Sequence, residues 1–110
     1  MRPGKFRSFE EFWPYYVGEH RQAATRHLHF AGTTAAIVIA VAAALSLNVW
    51  LLAPALIAAY GLAWTGHFFI ENNKPATFRH PFWSLRGDLR MYGLMWRGRM
   101  EDEVRRLAAD

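Results

Sequence analysis

From Phe30 to Ile70 this chain of 110 residues carries no Asp, Glu, Lys or Arg; all thirteen basic and nine acidic residues lie on either side of that run. No other feature constrains the fold as much. The length allows one domain. A soluble protein would have to bury the run as an internal helical hairpin, and the rest of the chain is too short to cover it. A membrane-spanning helix needs roughly 20 mostly apolar residues. The run divides into two such segments, FAGTTAAIVIAVAAALSL and VWLLAPALIAAYGLAWTGHFF, with Asn48 as the turn residue between them. Pro54 falls near the start of the second segment, where a missing N–H is best tolerated. Trp50 suits an interfacial anchor. The expected fold is all-α: an integral membrane helical hairpin with spans at 27–47 and 49–70, flanked by interfacial amphipathic helices.

A hairpin places both flanks on one side of the membrane. The first flank carries Arg2, Lys5, Arg7, Arg21 and Arg26, and the second carries Lys74, Arg79, Arg86, Arg90, Arg97, Arg99, Arg105 and Arg106. The positive-inside rule then expects both termini in the cytoplasm, from the inner membrane of a bacterium or the endoplasmic reticulum of a eukaryote. This topology accounts for the net charge of +4 without a nucleic-acid partner. Residues 1–29 lack the short apolar core of a cleavable signal, so insertion is expected through retained segments.

The flanks have helical patterns of their own. Ser8-x-x-Glu11 is a capping box. It opens a predicted helix over 8–20 with Phe9, Phe12, Trp13 and Tyr16 on one face, which Pro14 should kink or delay. After Pro81, the residues Phe82, Leu85, Leu89, Tyr92 and Trp96 recur at spacings of three and four, with Arg86, Arg90 and Arg97 opposite. That is an amphipathic helix over 82–98, suited to the headgroup layer or to a partner subunit. A short polar helix is expected over 100–109.

The absence of cysteine excludes disulfides, thiolate metal sites and cysteine nucleophiles. A metal would have to be held by imidazoles and carboxylates, which suit iron, zinc, copper or manganese. The hairpin brings His29, at the start of the first span, to His67, at the end of the second. If the second helix continues, Glu71 shares the face of His67. The stripe His29, Gly32, Ala36, Ala40 and Ala44 can face Ala55, Ala59, Ala63 and His67, because small residues let membrane helices approach. A second alanine stripe lies beneath His27, so this preference for His29 is slight. On one continuous helix His20 would share a face with His27. A break near Gly18, with Thr25 capping the next helix, would free His20 to fold over the site. Periodicity leaves both arrangements open.

The stretches EFWPYYVGEHRQAATRHLHFAGT, GHFFIENNKPATF and PFWSLRGDLRMY resemble a membrane family of 2-hydroxy-fatty-acid dioxygenases, formerly a domain of unknown function, whose fungal members serve α-oxidation. The family pattern is Tyr-x3-His-x8-His-x2-Gly, then Gly-His-x3-Glu-x2-(Arg/Lys)-Pro-Ala, then Gly-Asp. It is met by Tyr16, His20, His29 and Gly32; by Gly66, His67, Glu71, Lys74, Pro75 and Ala76; and by Gly87 and Asp88. The resemblance implies Fe(2+) held by His20, His29 and His67, and leaves His27 outside the motif. His80 stands where the family often has an aromatic residue, and ranks below those three as a ligand candidate.

The implied chemistry is oxidative cleavage of a 2-hydroxy fatty acid by O2, shortening it by one carbon. Glu71 and Asp88 are candidates for ligand, imidazole partner or base. Lys74, Arg79 and Arg86 are candidates for holding the substrate carboxylate or for simple interfacial anchoring. Two other classes remain: a haem-binding electron-transfer protein with His29 and His67 as axial ligands, and a non-catalytic membrane adaptor. A two-span protein could also form a homo-oligomer that encloses its site.

Overall fold

The computed structural model describes residues 6–109. Met1–Lys5, with Arg2 and Lys5 of the first basic flank, and Asp110 lie outside the described residues. Helix α1 (Phe9–Gly18) leads into the long α2 (Ala23–Ser46); α3 (Leu52–Thr65) returns antiparallel to it, and α4 (Pro81–Trp96) and α5 (Met100–Ala109) complete the chain. There is no strand among the described residues.

The hairpin turns where the sequence expects it. Leu47 ends α2 in the left-handed conformation, at φ 54°. Asn48 Oδ1 then accepts the N–H of Trp50 at 3.2 Å, starting a 3₁₀ turn at Val49–Leu51 that runs into α3. The segments Ala23–Ser46 and Val49–Glu71 are each long and apolar enough to cross a membrane, and only 17% of each apolar window is buried. Neither is buried in the way that the core helix of a soluble fold would be. At Gly32 the helices come so close that a Cβ would stand 2.9 Å from the Ala58 carbonyl oxygen.

The second span does not continue as an α-helix through Glu71. From Gly66 to Glu71 it widens into a π-helical turn, closed by Asn72 in the left-handed region at φ 57°. In a π-turn the backbone bonds reach five residues instead of four. The face that α-periodicity would give to both His67 and Glu71 is thereby split. His67 is buried between the helices, and Glu71 reaches sideways to the Gln22 N–H at 2.7 Å.

The corner between α1 and α2 also departs from expectation. The break after Gly18 is present, but Gln22, not Thr25, occupies the cap position of α2. Thr25 lies one turn further in, fully buried against Gly66. Half of the capping box at Ser8 is formed: Ser8 Oγ accepts the Glu11 N–H at 3.3 Å, while the Glu11 carboxylate accepts the N–H of Arg7 instead of that of Ser8. Helix α1 starts at Phe9 and runs through Pro14.

The conventional core belongs to the flanks. Phe9, Phe12, Trp13, Tyr16 and Val17 of α1 pack with Met91 of α4, Met100 of α5 and Ala76. This aromatic cap sits across the open end of the hairpin. Helix α4 shows the cap its arginine side: Arg86 lies 4.2 Å over the Phe9 ring and Arg90 4.5 Å over the Trp13 ring. Phe82, Leu85, Leu89 and Trp96 are exposed on α4, alongside the exposed apolar surface of the spans.

Candidate metal centre

Three imidazoles meet where the cap closes on the hairpin. His20 comes from the corner after α1, His29 from the second turn of α2, and His67 from the π-turn; all three are buried. His20 Nε2 lies 3.1 Å from His29 Nε2, which lies 3.4 Å from His67 Nε2. The possible ligand atoms of the three all fall within 4.8 Å of one another.

The opposite ring nitrogens explain why these rings point inward. His20 Nδ1 donates to the Tyr16 carbonyl at 2.7 Å, and His67 Nδ1 donates to Asn73 Oδ1 at 2.7 Å. Asn73 is oriented by its own Nδ2, which donates to the Glu19 carbonyl at 3.1 Å. His29 Nδ1 faces Asp88 Oδ1 at 3.6 Å. Acceptors on the Nδ1 side hold the protons there and leave Nε2 lone pairs converging on one point. Burial, reinforced by the neighbouring His29 and His67, holds His20 well below the ordinary histidine range, so its ring is neutral at physiological pH.

Three converging Nε2 atoms, with the Nδ1 atoms of His20 and His67 turned to acceptors, suit a cation. Two nitrogens about 2.1 Å from one ion stand about 3.0 Å apart at a right angle and about 3.4 Å apart at the tetrahedral angle. The observed 3.1 and 3.4 Å match that geometry. The same spacing disfavours axial haem ligation. Two axial nitrogens would stand about 4 Å apart with the porphyrin between them, whereas His29 Nε2 and His67 Nε2 lie 3.4 Å apart and the His20 ring packs against both of their rings.

The remaining candidates lie around this centre or away from it. Asp88 accepts a hydrogen bond from the Tyr16 hydroxyl and backs His29. Burial raises the Asp88 carboxyl to about 7, against the downward pull of that bond. Burial and the nearby Asp88 charge push Tyr16 well above its ordinary value. Glu71 holds the α2 N-terminus. His80 stands apart, among Phe6, Phe12 and Trp83. Lys74 and Arg79 border a separate pocket beside Tyr15 and Glu19, and Arg86 is the cation over Phe9. His27 is exposed.

Sequence reading gave no role to Asn73 or to Arg26 beyond its charge. Arg26 is buried, donating to the carbonyls of His20 and Arg21 at 2.7 and 2.9 Å and to Glu101 Oε1 at 2.5 Å. It straps the His20 corner to α5. The one available signal for Asn73 was its position just beyond the Gly-His motif, where turn residues are common.

A groove of about 400 Å³ leads from this centre along the hairpin. His29 and Asp88 line its root, and Ala36, Ala40, Ala55 and Ala59 line its length. Apart from Thr33 and Tyr60, the lining away from the root is apolar.

A family model described as 2-hydroxy-palmitic acid dioxygenase Mpo1-like matches residues 6–100. No curated protein and no solved structure matches the chain.

Proposed function

Because the chain belongs to the Mpo1-like family, we propose that it is a membrane-bound, Fe(II)-dependent dioxygenase that shortens 2-hydroxy fatty acids by one carbon. The observation that carries this reading is the convergence of three buried Nε2 atoms, one of them on His29, which together with Asp88 also lines the polar root of an apolar groove. Imidazole suits iron, and a three-histidine set leaves positions open for substrate and O2. When bound, the iron supplies activation of O2 beside the chelated hydroxy acid. The overall reaction balances as R–CH(OH)–COOH plus O2 giving R–COOH, CO2 and H2O. The C1–C2 bond breaks, and the electrons released by both carbons match those taken up by one O2.

The chain's own residues prepare that chemistry. His20, His29 and His67 hold the ion, and the Tyr16 carbonyl, Asn73 and Asp88 hold the rings. Asp88 borders the groove root, where it can accept the proton of the substrate's 2-hydroxyl. Glu71 is committed to the Gln22 N–H and supports the corner. Lys74, Arg79 and Arg86 act as interfacial cations. Both flanks lie on the cytoplasmic side, the side that the positive-inside rule favours for their basic residues.

Anaerobic reconstitution with Fe(II), followed by a 2-hydroxy fatty acid and O2, tests this reading. Stoichiometric appearance of the acid one carbon shorter is expected. Bound iron with no shortened acid would refute the reaction.

A further inference from the structure

The groove has more to say about how a substrate is held. Its ionisable side chains at the polar end, His29 and Asp88, sit together. From there it follows the seam between α2 and α3 toward the hairpin turn, through Thr33 and Ala63, then Ala36 and Ala59, then Ala40 and Ala55, to Leu52. Its rim is open: Ile37, Leu52 and Leu56 are 46%, 43% and 60% exposed, and Leu85 and Leu89 of α4 are exposed beside the root. These rim residues belong to the same apolar surface that the spans would turn to lipid. An occupant that matches this lining is polar at one end, apolar along the rest, and able to enter from the side.

We propose that a single acyl chain enters laterally from the bilayer and lies in this seam, its head at His29 and Asp88 and its tail toward the hairpin turn. Residue depth along the helices then measures carbon number. The proposal rests on the dioxygenase reading for the identity of the head group alone.

The register follows from geometry. Eleven residues separate His29 from Ala40, about 16 Å at 1.5 Å per helical residue. Tetrahedral carbons joined by bonds of about 1.5 Å advance about 1.25 Å each. Ala40 therefore stands beside about the thirteenth carbon, and Ala36 beside about the eighth. A bulky side chain at Ala40 should obstruct only chains that reach it, whereas one at Ala36 should obstruct shorter chains as well.

Two measurements test this. In the first, 2-hydroxy fatty acids bearing a photoactivated diazirine at chosen carbons are crosslinked to the wild-type protein in bilayers, with and without iron. A label near the head should mark Thr33 or Ala63, and one near the thirteenth carbon should mark Ala40, Ala55 or Leu56. Labelling independent of carbon position, or equal labelling of the outward Val38, Leu45 and Ile57, would overturn the proposal.

The second measurement compares turnover across chain lengths for Ala36→Leu and Ala40→Leu. Ala40→Leu should lower kcat/KM about tenfold for long acids and spare those under about twelve carbons. Ala36→Leu should move that threshold down to about eight carbons. A uniform loss at every length, with depth-independent crosslinks, would also overturn it. If crosslinks follow depth but the iron-loaded wild type yields no shortened acid, the groove stands and the dioxygenase reading falls. Turnover without depth-ordered crosslinks has the opposite meaning.

Discussion

In the hairpin, α2 and α3 meet backbone to backbone at Gly32 and Ala58, while in the cap α1 and α4 meet through rings and arginines. The hairpin helices are long and apolar enough to cross a membrane, whereas the cap is built from the charged flanks. Between membrane helices there is no water to expel, so close van der Waals approach through small residues supplies the association. The cap instead buries aromatic surface away from water, at about 25 cal/mol per Å² of apolar area. Neither region contains the three-histidine cluster alone. The hairpin contributes His29 and His67, the cap contributes His20, and the Nδ1 partners cross the seam: Asn73 ties His67 to the Glu19 carbonyl at the end of α1, and Asp88 of α4 backs His29.

The largest test of that division removes one ligand from each side. His20→Ala and His67→Ala should each abolish stoichiometric iron binding and product formation, as measured by metal analysis and a single-turnover assay. Full iron occupancy in His20→Ala would show that the hairpin suffices. Next in size is Gly32→Leu. The added Cβ meets the carbonyl oxygens of Ala58 and Ala59 at 2.9 and 3.1 Å, and backbone cannot rotate aside. A loss of about 1–3 kcal/mol is expected from thermal unfolding in detergent, with hydrogen exchange in α1 unchanged. Loss of protection in α1 as well would mean that hairpin and cap unfold as one unit.

Asn73→Ala leaves His67 without its Nδ1 partner. Iron affinity should fall about 10–100-fold while helix content is kept, measured by competition with a chelator. The smallest effect belongs wholly to the cap. Glu103 accepts from Trp13 Nε1 at 2.6 Å and pairs with Arg106. Its carboxyl lies below the ordinary range, chiefly through the Arg106 hydrogen bond. Since the folded value is depressed, this stabilisation is present above the unfolded value of about 4.3 and is lost as pH falls through the folded one. Glu103→Gln should therefore lower Tm slightly at neutral pH, and the gap to wild type should close on acidification.

The hairpin was legible because a charge-free run is a property of the one-dimensional chain, as is its turn at Asn48. Within the site, the convergence of His20 with His29 was expected from family spacing; periodicity left open whether His20 shared a face with His27 or folded over the site. The corner at residues 19–22 breaks the helical phase, and it is braced by Arg26, whose partner Glu101 lies 75 residues away. The π-turn was likewise hidden, since His67 and Glu71 are separated by packing against α2, which no local propensity encodes. The arginine face of α4 was visible as a stripe, but its direction was not. Stacking on Phe9 and Trp13 turned it toward α1 and left the apolar stripe outward.

The open flank of the groove bears on how such an enzyme would be supplied. A fatty tail moving from lipid into a seam of alanines exchanges one hydrocarbon neighbour for another, because lipid tails are as apolar as leucine. Entry and exit of the tail then carry little transfer free energy, and the product, one carbon shorter, departs as easily as the substrate arrived. Occupancy would follow the mole fraction of hydroxy acid among the surrounding lipids, and diluting the bilayer with inert phospholipid should slow turnover even when the amount of substrate per vessel is unchanged.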